Sequence, residues 1–115
     1  MKVLMMWQVP AHLRTYFSEH LDKSIEMVIP KTDDPAELIS LAGDVEAMVG
    51  WRPTPALFDA APKCRMLQIP GVGVQHLTSL LLRYPQITLC NNHDNTYFTA
   101  QHALSMLLAL TNRII

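Results

Sequence analysis

The chain has 115 residues, 50% of them apolar and 17% charged, with a formal net charge of −1, an isoelectric point near 6.5 and a mean hydropathy of +0.14. That length fills one domain, and the composition excludes a disordered chain. Near-neutrality without a basic stripe excludes a field that would gather nucleic acid or an anionic membrane surface; the hydropathy leaves apolar surface for a partner.

Met1-Lys2-Val3-Leu4-Met5-Met6-Trp7 is too short for the apolar core of a signal peptide and meets Pro10, His12 and Arg14 at once. It reads as a buried strand over Val3–Met6, followed by a helix over Ala11–His20 with Leu13, Tyr16, Phe17 and Leu21 toward the core. Ile25–Ile29 is the next strand, ended by Pro30. Asp33 and Asp34 are placed to cap a helix that opens with Pro35, carries Leu38, Ile39 and Leu41 inward, and stops at Gly43.

Val45–Val49 is the third strand, and Gly50-Trp51-Arg52-Pro53 a loop before a helix capped by Thr54 and opened by Pro55. Met66–Ile69 is the fourth strand, Leu77–Leu82 a short helix and Ile87–Cys90 the fifth strand. Strand and helix alternate throughout, and strands apolar on both faces call for a parallel sheet with helices on both sides. Ligands of such sheets bind at the carboxyl ends of the strands, here Trp7-Gln8, Pro30-Lys31, Gly50-Trp51-Arg52, Pro70-Gly71-Val72-Gly73 and Asn91-Asn92-His93-Asp94.

The last segment, Thr99–Ile115, carries Ala100, Ala103, Leu104, Leu107, Leu108, Leu110 and Ile114, more apolar surface than one sheet face needs, and so offers a second contact surface. It ends on Ile114-Ile115 without a stop signal and reads as cut. Gln101, His102 and Asn112 interrupt it, so no run has the length of a membrane span and the chain reads as soluble. Cys64 and Cys90 lack CxxC spacing and lie in or beside apolar segments, as two buried, reduced thiols of a cytoplasmic protein.

The candidate site centres on Met66-Leu67-Gln68-Ile69-Pro70-Gly71-Val72-Gly73-Val74-Gln75-His76-Leu77, a strand that breaks and turns into a helix. Gly71 and Gly73 admit close backbone approach, and the amides that open the helix suit a carboxylate or phosphate; the same glycines also solve a purely steric problem. His76 stands where a dinucleotide fingerprint needs its third glycine. Arg52 is either a ligand for an anion at Gly71–Val74 or a solvated surface arginine, and Trp51 either walls a pocket or caps the core. His93-Asp94 point in opposite directions on an extended segment, and Asn91–Asn95 read as turn formers. No histidine has metal-ligand spacing, no nucleophile motif occurs and no P-loop is present.

Pro53-Thr54-Pro55-Ala56-Leu57-Phe58-Asp59-Ala60-Ala61-Pro62, Gly71–Leu77 and Ala100-Gln101-His102-Ala103-Leu104-Ser105-Met106-Leu107-Leu108-Ala109-Leu110-Thr111-Asn112-Arg113-Ile114, in this order and spacing, resemble the D-isomer-specific 2-hydroxyacid dehydrogenases. The resemblance covers the chain. It implies a flavodoxin-like three-layer α/β/α fold around an open five-stranded parallel sheet, with residues 1–98 the N-terminal part of the substrate-binding (catalytic) domain. Residues 99–115 would begin the inter-domain helix, the NAD-binding Rossmann domain being absent.

The resemblance further implies that the Val72 and Gly73 amides hold the carboxylate of a 2-hydroxy or 2-keto acid, with Arg52 and Asn95 as further substrate-binding residues. NAD or NADP would belong to the full-length parent, whose catalytic arginine, glutamate and histidine lie beyond the point matched by Ile115. The fragment should bind without catalysing, with no catalytic, cofactor-binding or metal residue of its own. Gln75, Gln101 and Trp51 depart from the family pattern. The competing expectation is a freestanding small-acid-binding or dimerisation module, and either history predicts a homo-oligomer formed through the apolar helix, with no nucleic acid or membrane as partner.

Overall fold

The computed structural model describes residues 1–113. Its elements, in chain order, are β1 (Lys2–Met5), α1 (Ala11–His20), β2 (Glu26–Val28), α2 (Pro35–Leu41), β3 (Ala47–Val49), α3 (Pro55–Asp59), β4 (Met66–Ile69), α4 (Thr78–Leu81), β5 (Thr88–Asn91) and α5 (Thr96–Thr111). Three-residue 3-10 turns over Ala42–Asp44 and Gln75–Leu77 follow α2 and precede α4. The five strands form one sheet in the order β2-β1-β3-β4-β5, every pair parallel. This is a three-layer α/β/α, flavodoxin-like arrangement.

Register places Leu4, Met48, Leu67 and Leu89 side by side across β1, β3, β4 and β5. The first three of these side chains are completely buried beneath α2, α3 and α4, packed with Leu57, Phe58, Leu77, Tyr84 and Ile87. The opposite face is thinner: Val3, Met5, Val9 and Ala47 are buried beneath α1, which reaches them through Leu13 and Phe17. Tyr16 is 55% and Leu21 37% exposed, contrary to the inward placement expected from spacing. Tyr16 instead stacks on His20 one turn along, with centroids 4.1 Å apart.

Local signals set several boundaries. Asp34 Oδ1 accepts the Ala36 N–H, Pro35 opens α2, and Thr54 Oγ1 accepts the Leu57 N–H at the start of α3. Strand ends differ from the expected ones because turns claim the flanking residues. Ile25 N–H donates to Asp22 O, Val45 N–H to Ala42 O and Ile87 N–H to Tyr84 O, so β2, β3 and β5 start later. Gly43 does not stop α2; the helix ends at Leu41 and tightens into the 3-10 turn, which extended Val45 terminates.

The largest departure is α5. It starts at Thr96 rather than Thr99, and all its residues are exposed except Ala109, which is half-buried. It covers neither sheet face and projects from the body. The radius of gyration, 17.5 Å, exceeds the roughly 13 Å of a compact chain this long, and the molecule measures 55 × 36 × 25 Å. Ile114, expected on the apolar side of this helix, and Ile115 lie outside the described residues. Cys64 is buried but Cys90, on edge strand β5, is only half-buried. Among the described residues no helix is long and apolar enough to cross a membrane.

Candidate functional site

The exits of all five strands gather at one end of the sheet and tie to one another. Gly50 has φ +156°, and a Cβ there would lie 2.6 Å from Met6 Cβ, so the missing side chain lets the β1 and β3 exits close together. That closeness sets Trp7 against Trp51, centroids 5.2 Å apart and planes tilted by 52°. Asp33 Oδ1 accepts the Gln8 N–H at 3.2 Å, which joins the β2 exit to the β1 exit. Trp51 is 48% exposed, so it does not cap the core; it walls the rim.

The loop Pro70–Val74 is oriented by its carbonyls. Gly71 O accepts the Asn92 N–H at 3.0 Å, and Val72 O accepts the Asn91 side-chain amide at 2.8 Å. The N–H of Val72 shares a peptide with Gly71 O, and that of Gly73 with Val72 O. Among the described residues no peptide bond is cis, so both N–H groups point away from Asn91 and Asn92. Among the described residues neither has an acceptor, whereas the next amide, Val74 N–H, is taken by Gln75 Oε1 at 3.1 Å. The loop therefore presents two adjacent donors with no internal partner.

Neither glycine is required sterically. A Cβ on Gly71 would meet Trp51 Nε1 at 3.5 Å and one on Gly73 would meet Gln75 Oε1 at 3.7 Å, both ordinary contacts. The donors also owe nothing to a helix dipole, since only a 3-10 turn and the four residues of α4 follow. Nor does the loop fit a dinucleotide: His76 occupies the third-glycine position, and α4 is too short to receive a pyrophosphate.

The expected substrate residues open onto two concavities. Val72 and Asn95 line a groove of about 590 Å³ with Thr96, Thr99, Ala100 and Ala103. Arg52 lines another, about 470 Å³, with Met6, Asp33, Leu38, Trp51 and Thr54. Among the described residues the Arg52 guanidinium has no hydrogen-bond or ion-pair partner. Lys31 faces a third concavity, about 460 Å³, with Gln8 and Arg14. Trp51 stands between Arg52 and the Gly71 loop, its indole nitrogen near Gly71 and its carbonyl 3.4 Å from His76 Nε2.

Asn91 is a positioning residue that the sequence does not single out, because it stands at the head of a run of turn formers. Its amide holds Val72 O and also lies 3.0 Å from His93 Nε2, which then serves as the acceptor nitrogen. Asp94 does not pair with His93; its N–H closes a turn on Asn92 Oδ1 at 2.8 Å.

Ionisation near the rim is dominated by Glu37 at the third position of α2. The Thr32 hydroxyl and then the Lys31 N–H hold its carboxyl below the ordinary glutamate range, which fixes the β2 exit. Burial pushes the Cys64 thiol up and away from nucleophilic use. Among the described residues no group of three or more His, Cys, Asp or Glu side chains is placed to hold a metal.

Neither a protein-family model nor a curated protein sequence matches the chain. Among solved structures it is similar to the TT0316 protein from Thermus thermophilus, with a TM-score of 0.72 and 22% identity over 99% of this chain. The chain spans 38% of that protein's length. At this identity the likeness establishes the fold: the chain shares a three-layer parallel α/β architecture with one part of a longer protein.

Proposed function

We propose that the rim binds the carboxylate of a small 2-hydroxy or 2-keto acid, and that the chain is the substrate-binding portion of an NAD-dependent oxidoreductase interconverting such acids. The observation that carries the reading is the pair of adjacent N–H donors at Val72 and Gly73, both turned away from Asn91 and Asn92 and, among the described residues, without an acceptor. Two adjacent donors suit two carboxylate oxygens, and charge-assisted bonds to an anion are stronger than those to water. The three motif stretches that resemble the D-2-hydroxyacid dehydrogenases support the same substrate class. In the whole enzyme NAD or NADP would supply hydride; this chain's residues bind the acid, orient it and close over it.

The test is an amide-resolved NMR titration of the purified chain with glyoxylate, pyruvate, hydroxypyruvate and D-lactate, with a neutral alcohol as control. The acids should shift the Val72 and Gly73 resonances. Gly73→Ala, which keeps the donor and fits the loop, should bind as the parent does, whereas Gly73→Pro, which removes the donor, should not. Unmoved Val72 and Gly73 amides with all four acids would sink the proposal. The chain alone should oxidise no NADH in their presence.

A second reading, a freestanding small-acid-binding or dimerisation module without catalytic activity, is favoured by one specific observation: among the described residues, those of α5 are exposed apart from half-buried Ala109.

A further inference from the structure

The order β2-β1-β3-β4-β5 sends the chain from β1 toward one edge of the sheet and from β3 toward the other. The helix after β1, α1, covers one face, and the helix after β3, α3, covers the opposite one. The connections leaving β1 and β3 therefore diverge, and sheets of this kind seat their ligands at such a point. The concavity of about 470 Å³ at Arg52 lies there, with Met6 from the β1 exit, Trp51 and Arg52 from the β3 exit, and Asp33 and Leu38 from the β2 side. Its walls are mostly apolar and carry two charges. Asp33 Oδ1 already accepts the Gln8 N–H, whereas the Arg52 guanidinium has no partner among the described residues, Asp33 included. The Arg52 backbone is fixed: buried Pro53 confines the residue before it to extended conformations, and the Thr54 cap ties the segment to α3.

The Trp51 indole that walls this concavity also reaches the neighbouring loop, with Nε1 3.5 Å from where a Gly71 Cβ would lie. One indole thus separates an unpaired cation from the Val72 and Gly73 donors. We infer that the acid bound by the rim is a dicarboxylate, with its C1 carboxylate on the Val72 and Gly73 amides, its methylene chain across Trp51 and its far carboxylate on Arg52. This rests on the acid-binding reading and narrows it to 2-keto and 2-hydroxy diacids. A guanidinium offers two parallel N–H groups that a carboxylate takes together, and an indole face receives methylenes that have no polar atom to satisfy. A short acid such as glyoxylate or pyruvate, held at Val72 and Gly73, has no group to meet Arg52. Asp33 limits the charge that fits: a distal phosphate, with nearly two negative charges, meets about twice the repulsion that a carboxylate does.

The test compares acids of equal length on the full chain, 2-oxoglutarate against 2-oxopentanoate and 2-oxoadipate against 2-oxohexanoate. Calorimetry gives the affinities, and backbone amide and Arg52 Nε–H resonances give the contacts. All four acids should move the Val72 and Gly73 amides. At least one diacid should bind roughly tenfold more tightly than its monoacid counterpart and alone move the Arg52 Nε–H. Arg52→Gln should bring the diacid to the affinity of the monoacid, and Arg52→Lys should recover part of the difference. Asp33→Asn, which keeps an acceptor for the Gln8 N–H, should widen it. Diacids no tighter than monoacids, with Val72 and Gly73 still moving, overturn the inference and leave acid binding standing. A diacid advantage that survives Arg52→Gln overturns it as well. Val72 and Gly73 unmoved by all four acids would remove both readings together.

Discussion

At residue scale, Gly50 decides how the rim closes. With Met6 Cβ only 2.6 Å from the position of a Cβ, Gly50→Ala forces the β1 and β3 exits apart; the expected loss is about 1–3 kcal/mol in urea denaturation. Tyr84 does comparable work beneath α3. Its ring packs on Phe58 with centroids 4.9 Å apart, and its hydroxyl donates to Asp59 Oδ1 at 2.8 Å and lies 3.1 Å from Pro55 O. Tyr84→Phe keeps the packing and loses the bond, so about 1 kcal/mol should disappear from the same measurement. Neither role is visible in the sequence, because each depends on a residue 25 or more positions away that only the fold brings near. The Val72 and Gly73 donors are legible there, since a Pro-Gly break after an apolar strand is a local event. The partition of Arg52 and Asn95 between two concavities is not.

At the scale of elements, what short-range chemistry determines can be read from the residues, and what neighbours determine cannot. Asp34, Pro35, Thr54 and Pro55 announce the starts of α2 and α3 through contacts within three residues. The ends of β2, β3 and β5 depend on which amides the turns capture, and α5 departs from the rule that apolar helices pack on their own sheet. Glu37 gives α2 a pH signature. Its folded carboxyl titrates below the ordinary value near 4.5, so the stability it contributes is full above that value and is lost as pH falls through the lowered one. Thermal denaturation should therefore show a steeper loss on acidification below pH 4.5 for the parent chain than for Glu37→Gln, and equal slopes would assign the acid sensitivity elsewhere.

At the scale of the whole molecule, alternation of strands and helices is enough to predict the parallel sheet, and the order β2-β1-β3-β4-β5 agrees with the fold that the resemblance implies. The unequal layers do not follow from periodicity: among the described residues three helices cover one face and α1 alone covers the other. Hydrogen exchange should follow this division. Amides of β1, β3 and β4 should be protected, while those of the exposed α5 should exchange quickly. The tryptophan pair has a consequence for spectroscopy. The chain's two tryptophans are Trp7 and Trp51, and they are packed together at the rim. Intrinsic emission therefore reports the carboxyl end of the sheet and not its interior, and two indoles 5.2 Å apart couple as an exciton pair. A fluorescence melting curve would record the parting of the β1 and β3 exits, and a ligand seated between those loops would be seen as a change in quantum yield without any added dye.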